Sequence, residues 1–395
     1  MLSELRHALC LRMNPEHSVT IVGAGIAGLA VAIALRQRGI GVQVLEQAPE
    51  LQEIGAGLLL GTNACAVLER LGALQALLTD RSIAVPRWEL SDWQGRLLSA
   101  LHIPRSGESS ISTRRSDLQW ALMQRLPRDV VKLGCAVINA ELTTEGVQLK
   151  LADGRQMTAS KVIVTDGAHS MVRAALWPGR EPQYCGYVGW RGLVDHVPRG
   201  WEVGRVSESW GYGRRFGIAP VGGGRTYWYA SANVPAAHCR DRVSVAELRR
   251  DFAYWHHPVT EILSMMPEED LLQHPIHDRR PAWHWQREEK VVLLGDAAHP
   301  LTPNLGQGAA MALEDAWELA ALWGKPDAMT RFERRRRMRL LLLWAASRHI
   351  GKLIQWDHPA LCWLRDTQMR LTPDTLHTAM MRRLLRYVPS EVARL

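Results

Sequence analysis

Apolar residues along the chain recur with two periods, and the switches between them outline the elements. Val19-Thr20-Ile21-Val22 is a short apolar run with strand character, and the pattern after it continues at helical spacing to about Arg38. Gly39-Ile40-Gly41 turns the chain into a second strand, Val42 to Leu45. Ile54 to Ala64 reads as a glycine loop feeding a strand, then a helix through Leu71; Trp88 to Leu98 alternates as a hairpin about Asp92-Trp93-Gln94-Gly95. Leu118 and Leu122 mark the inward face of a helix opening at Arg115. Val130 to Leu133, Val137-Ile138, Val147 to Leu151 and Val162 to Val164 read as strands. From about Leu176 to Pro275 the chain is β-rich and tryptophan-rich, with a hairpin from Trp210 to Ala230 about the turn Val221 to Arg225. Val291 to Leu294 reads as a buried strand, followed by a loop with Pro300, Pro303, Gly306 and Gly308 and a helix with Ala309, Ala310, Leu313, Ala316 and Trp317 at helical spacing. The tail, Leu340 to Tyr387, sets apolar blocks among arginines.

Two of these junctions carry chemistry. Gly23-Ala24-Gly25-Ile26-Ala27-Gly28 follows a strand and opens a helix: Gly23 allows the tight turn, Gly25 lets backbone approach a pyrophosphate, and Gly28 lets helix and strand pack closely. Glu46 falls roughly 20 residues on, where an acid accepts bonds from a ribose. The second junction, Gly295 to Asp315, places Asp296 at a strand end and a glycine-bracketed helix start at Gly306-Gln307-Gly308. A carboxylate there suits a ribose hydroxyl, and the helix start aims unpaired N–H groups at an anion.

Composition narrows the class. The 395 residues, 47% hydrophobic and 22% charged, suit a globular protein of two substantial domains or one composite body. No apolar run approaches a transmembrane span, and Met1 to Asn14 lack the apolar core of a signal peptide. That N-terminal stretch is expected to be disordered, with Met13 a candidate natural start. Six scattered cysteines without a CxxC pair argue against a disulfide framework or zinc site and for reduced thiols in a cytoplasm. The net charge of +8 is concentrated in Arg331 to Arg339 and the tail, which reads as a solvated helix face rather than a nucleic-acid groove.

GAGIAG at 23–28, Arg115-Ser116-Asp117-Leu118, Asp166-Gly167 with Arg173, and GDAAHPLTPNLGQG at 295–308 together resemble the single-component FAD aromatic monooxygenases of the para-hydroxybenzoate hydroxylase type. The resemblance spans about Val19 to Trp323. It implies an α/β fold: a Rossmann-like FAD-binding domain (17–84, 100–175 and 280–340) interrupted by a β-sheet substrate domain (85–99 and 176–279). An N-terminal extension (1–16) and a C-terminal helical segment (341–395) complete it. It implies non-covalent FAD, NADPH or NADH as transient reductant, O₂ as co-substrate and a small aromatic substrate hydroxylated through a flavin C4a-hydroperoxide. Carried over by position, Gly23, Ala24, Gly25, Ala27, Gly28 and Glu46 would hold the adenosine diphosphate side. Arg115 would lie against the FAD, Asp166-Gly167 would serve FAD and NAD(P)H, and Gly295-Asp296 the ribityl side. Pro303, Gly306, Gln307 and Gly308 would pass beside the isoalloxazine ring, with Gly57 and Val137 completing the contacts. Thr165 departs from the family, where an alanine usually precedes the aspartate.

The hairpin offers Arg215 and Tyr227, a pair that resembles the substrate-ionising pair of flavin-dependent urate hydroxylases. A solvent-facing strand cation and a core aromatic are equally open readings. His299 is expected to cap or pack beside the flavin, and Arg191 either reaches the flavin edge or forms a structural ion pair. Trp283-His284-Trp285 suggests a flavin halogenase only superficially: the Ile-Pro that should follow is missing and the position is wrong. GKLIQWDHPALCWLRDT at 351–367 is similar to the tail of 2-alkyl-4-quinolone 3-monooxygenases. A hydrophobic quinolone-like or phenolic substrate is therefore expected, with a urate- or purine-type hydroxylase and a non-hydroxylating, membrane-associated FAD protein as the alternatives. The tail is expected to cap the substrate domain, with peripheral contact at the inner membrane surface as a further reading.

Overall fold

A computed structural model describes residues 18–50, 56–102, 110–179 and 181–391. The expected disordered extension and residues 54 and 55 of the glycine loop lie outside them. β1 (Ser18–Val22) runs into α1 (Ile26–Arg36) and β2 (Gly41–Leu45). Every residue of α1 except Arg36 is buried, because the helix lies between the sheet and the rest of the core. β1 pairs in parallel with β2 on one side and with β3 (Lys161–Val164) on the other; β3 pairs in parallel with Val291–Leu293. The order in this six-stranded sheet is not the order in sequence, so β1 sits centrally with β2 and β3 diverging from it. That divergence opens a crevice beyond the carboxyl ends of the strands, the usual ligand position in such sheets.

A second, seven-stranded sheet is built around four long strands: β4 (Gln183–Val194), β5 (Arg205–Trp210), β6 (Arg214–Val221) and β7 (Arg225–Asn233). Its order is Leu272–Asp278, β4, β7, β6, β5, Arg87–Asp92, Leu97–His102. The β6–β7 hairpin turns at Gly222-Gly223-Gly224, but its first strand begins at Arg214; Trp210 ends the preceding strand instead. Two short helices, Val245–Asp251 and Val259–Met265, interrupt the β-rich stretch and pack Leu248, Ile262 and Leu263 against the sheet.

α2 (Gly308–Leu322) packs against α1, and α3 (Ala328–Ile354) follows. α3 runs unbroken across residue 340, so the helical segment expected to start at 341 is continuous with the body. α4 (Pro359–Leu371) and α5 (Asp374–Leu385) then cover one edge of the second sheet. Arg365 is buried and donates to the carbonyls of Ile354 (3.1 Å) and Gly211 (3.2 Å), while Asp374 accepts from the backbone of Ala100 at 2.9 Å. No helix among the described residues is long and apolar enough to cross a membrane, and the five described cysteines are free.

Candidate active site

The turn after β1 is shaped by what its glycines lack. Gly23 sits at φ +99°, and a Cβ there would lie 2.7 Å from the carbonyl oxygen of Thr165. A Cβ on Gly28 would lie 1.9 Å from the Gly23 oxygen, so no other residue fits without moving backbone. A Cβ on Gly25, by contrast, would meet nothing within 4 Å: the space in front of the α1 N-terminus is open. Hydrogen bonds hold this cradle on three sides. Glu46 accepts from the N–H of Ala24 at 2.7 Å and of Ala48 at 2.9 Å; Gln119 donates to the Ala24 carbonyl at 2.9 Å. The Thr165 hydroxyl donates to the carbonyls of Val22 (2.8 Å) and Gly23 (2.9 Å), so the departure at this position adds a tie between β3 and the turn.

The crevice continues past Gly167, Asp296 and Arg115 to Pro303, Gly306 and Gly308. Gly167 (φ +87°) and Gly306 (φ +61°) again leave open space where a side chain would stand. Asp166 is enclosed beside Gly167, and its Oδ1 has no hydrogen-bond partner among the described residues. Burial pushes its carboxyl upward, while Ser170 and the N–H groups of Val172 and Met171 pull it back. Asp296 opens onto the crevice with protein around it; burial raises its carboxyl and His299 and Arg115 oppose the rise. Arg173 donates to the carbonyls of Ala297 (3.0 Å) and Ala298 (3.3 Å), joining the two aspartate turns. Open backbone cradles, a helix N-terminus and an orphaned carboxylate oxygen fit a dinucleotide such as FAD.

Some expected residues support the site without facing it. Gly295 is packed where a Cβ would come within 3.2 Å of Ala27 and 3.4 Å of Ala312. The Gln307 side chain turns into the core and accepts from Asn63 at 3.0 Å. Val137 is buried in the hydrophobic core. His299 also points away, bonding Asp315 at 2.5 Å; Arg336 bonds Asp315 and Glu314, both at 2.6 Å. Burial would raise Asp315, but His299 and Arg336 outweigh it and hold the carboxyl below the usual range. This buried charge cluster is the floor under the loop.

The second sheet supplies the far wall. Cross-strand register places Arg215 opposite Ser231, Gly217 opposite Tyr229 and Ala219 opposite Tyr227, so all six share one face. Arg215 is 3% exposed and faces no solvent. It donates to Ser231 at 3.2 Å, lies 3.6 Å from Glu208 and stands over the Tyr229 ring at 5.6 Å. Tyr227 lines the same cavity two rungs away, against Gly57: a Cβ on Gly57 would fall 2.3 Å from the tyrosine ring. Tyr229 lies between the expected pair, and its hydroxyl donates to Glu208. Arg191 lines the cavity and makes no ion pair or hydrogen bond among the described residues, so the structural ion pair is not formed. Tyr187 on β4 accepts at 3.0 Å from Asn304, which stands in the loop of the cofactor side. Glu208, Tyr187 and Asn304 were not singled out from the sequence. The one available signal was Gly217, a glycine inside a strand, which marks a close approach.

A model of the FAD binding domain matches residues 16–337. The aurachin C monooxygenase/isomerase of Stigmatella aurantiaca is 35% identical over 95% of this chain and all of that protein. The 2-heptyl-3-hydroxy-4(1H)-quinolone synthase of Pseudomonas aeruginosa is 32% identical over 93% and 97%. The FAD-dependent urate hydroxylase of Klebsiella pneumoniae is 32% identical over 83% and 88%. Among solved structures, Klebsiella pneumoniae HpxO complexed with FAD and uric acid superposes with a TM-score of 0.86 at 27% identity, covering 95% of this chain and 98% of that one.

Proposed function

This chain belongs to the FAD binding domain family and is an FAD-dependent monooxygenase; on that premise we propose that it hydroxylates a hydrophobic, electron-rich aromatic ring of the quinolone type, with NAD(P)H as reductant. The observation that carries this reading is continuity: one cavity joins the glycine cradle at α1 to the tyrosine wall of the second sheet. The Pseudomonas aeruginosa relative, 32% identical over 97% of its own length, is named for a 4(1H)-quinolone, which supports the substrate class.

Bound FAD supplies oxygen-transfer chemistry; the chain binds, orients and shields. The N–H groups at the start of α1 would hold the pyrophosphate of FAD, Glu46 and Asp296 its hydroxyl-bearing portions, and Arg115 would bind alongside them. The backbone of Gln307 and Gly308, at the start of α2, would offer N–H groups to negative charge on the flavin ring. Leu58, Leu59, Trp88, Ile276 and Leu301 face the cavity and exclude water from the reacting groups. Burial keeps the Tyr227 phenol protonated, so it can donate to a substrate oxygen as charge develops there.

A urate- or purine-type substrate is the second reading, favoured by Arg215 and Tyr227 lining one cavity. A panel of 2-alkyl-4-quinolones, phenols and purines added to FAD-loaded protein separates the two, with NAD(P)H oxidation, O₂ uptake and product followed together. A quinolone that accelerates oxidation and emerges hydroxylated is the expected result. Acceleration by purines alone, or peroxide as the sole product throughout, defeats the quinolone reading.

The finer reading of the tail is contact with an anionic membrane surface. Trp363, Leu371, Leu376 and Met380 are exposed on α4 and α5, beside Arg370, Arg382 and Arg383. Co-sedimentation with anionic but not zwitterionic vesicles is expected; equal recovery with both, or with neither, rejects it.

A further inference from the structure

The far wall holds a buried carboxylate that the proposed hydroxylation does not require. Glu208 on β5 is 5% exposed, lines the cavity, and stands in one cross-strand row with Gly217, Tyr229 and Arg191. Tyr229 donates to its Oε2, Trp210 Nε1 donates to Oε1 at 2.6 Å, and Arg215 Nη1 lies 3.6 Å from Oε1. Burial and the neighbouring Glu208 hold the Tyr229 phenol well above its usual range, so it remains a donor. Gly217 exists in this row because the Tyr229 ring crosses it to reach Glu208: a Cβ would lie 2.1 Å from Tyr229 Cζ. Three residues are thus arranged around one carboxylate. Sheet stability alone does not call for it, since apolar residues in place of a buried ion pair are often as stable. The consequence is electrostatic. The Arg215 charge is compensated inside the protein before any ligand enters.

We propose that Glu208 is a specificity-determining residue: by compensating Arg215 it favours neutral aromatic substrates over their anionic carboxylate counterparts. The inference rests on the proposed reading of this wall as the substrate side. An anionic ligand meets a neutral pair in the wild type. In Glu208→Gln it meets a buried, uncompensated guanidinium, which binds carboxylates bidentately. Arg191 is common to both proteins, so the difference between them isolates Arg215.

The test measures dissociation constants on FAD-loaded protein, from perturbation of the flavin absorption, for two matched pairs. These are 4-quinolone with its 2-carboxylate, and 4-hydroxybenzamide with 4-hydroxybenzoate. Wild type is expected to prefer the neutral member of each pair. Glu208→Gln should shift the ratio toward the anion by about ten-fold, equivalent to about 1.4 kcal/mol, and the double variant E208Q/R215Q should return it. A wild-type preference for the carboxylates, or an unchanged ratio in folded, FAD-loaded Glu208→Gln, overturns the proposal. Should that variant not fold, Arg215→Gln leaves Glu208 uncompensated and should move the ratio about ten-fold the other way; no movement overturns it equally. Turnover is not the readout. If only the benzamide pair binds, the quinolone reading fails while the role of Glu208 stands; if neither pair binds, both fall.

Discussion

The two sides of the cavity are prepared for their ligands in opposite ways. The cradle at α1 works by omission: Gly25, Gly167 and Gly306 leave open space, and Gly23 and Gly28 let strand and helix close behind it. The far wall works by cancellation, with Glu208 and Arg215 buried together and a tyrosine hydroxyl and an indole N–H bonding the carboxylate. Loss of empty space is a steric event with no halfway state. Loss of charge balance is graded, and it changes which ligand is preferred before it abolishes binding.

The largest effect is therefore expected in the cradle. In Gly28→Val a Cβ would stand 1.9 Å from the Gly23 oxygen, an atom of the backbone that cannot swing away. The overpacked backbone should close the cradle altogether, and purified protein should carry no FAD by absorption. Full FAD occupancy in this variant would remove the steric account of the cradle.

Next comes the floor that both sides share. Arg336→Met strips Asp315 of its buried guanidinium and leaves Glu314 to Arg339 alone, at a cost of about 3–5 kcal/mol. The pH dependence gives the sign. In the wild type the Asp315 carboxyl is depressed, so its contribution is present above the unfolded value, near 3.9, and is lost as pH falls through the folded value. In the variant His299 and the Gly295 N–H are left to oppose the burial that raises Asp315, so part of the lost stability should return on acidification from neutral pH. Thermal melts of both proteins between neutral and mildly acidic pH check this; parallel curves would exclude Asp315 as the group responsible.

Gly217→Ala carries the steric logic of the cradle into the wall. The added Cβ would lie 2.1 Å from the Tyr229 ring and must displace it from Glu208. Substrate affinity should fall about ten-fold with FAD content unchanged, as read by flavin perturbation and flavin absorption. Loss of FAD together with affinity would mean the two sides are not separable.

The same contrast explains what the sequence disclosed. The cradle is local: its glycines, the strand before them and Glu46 lie within one βαβ unit, and their spacing encodes backbone geometry directly. Asp166, Asp296 and Arg115 were legible for the same reason, as residues at the ends of regular elements. The wall is not local. Alternation placed Arg215 and Tyr227 on facing strands, but their neighbours depend on the register of β5 and β4, set by pairings across long intervals. Nothing in Val206-Ser207-Glu208-Ser209 sets Glu208 apart in sequence, and the partner that turns His299 inward, Asp315, lies one element away. The continuity of the 27-residue helix across residue 340 was not legible, because such a helix carries no punctuation along its length.

The smallest effect is expected at a hydrogen-bonded pair that joins the two sides. Tyr187 on β4 accepts at 3.0 Å from Asn304, in the loop beside the cofactor cradle. Asn304 also donates to Thr302 Oγ1 and to the Ser347 carbonyl, each at 3.0 Å, so Tyr187→Phe leaves it two partners. The net loss should be that of one neutral hydrogen bond, about 0.5–1.5 kcal/mol, seen as a small drop in melting temperature. FAD content and substrate affinity should both hold, because neither the cradle nor the compensated pair has changed. A fall in FAD content alone would assign the bond to the cradle, and a fall in substrate affinity alone to the wall. A joint fall would show that the loop transmits between them, and the separation of omission from cancellation would then have to be given up at Asn304.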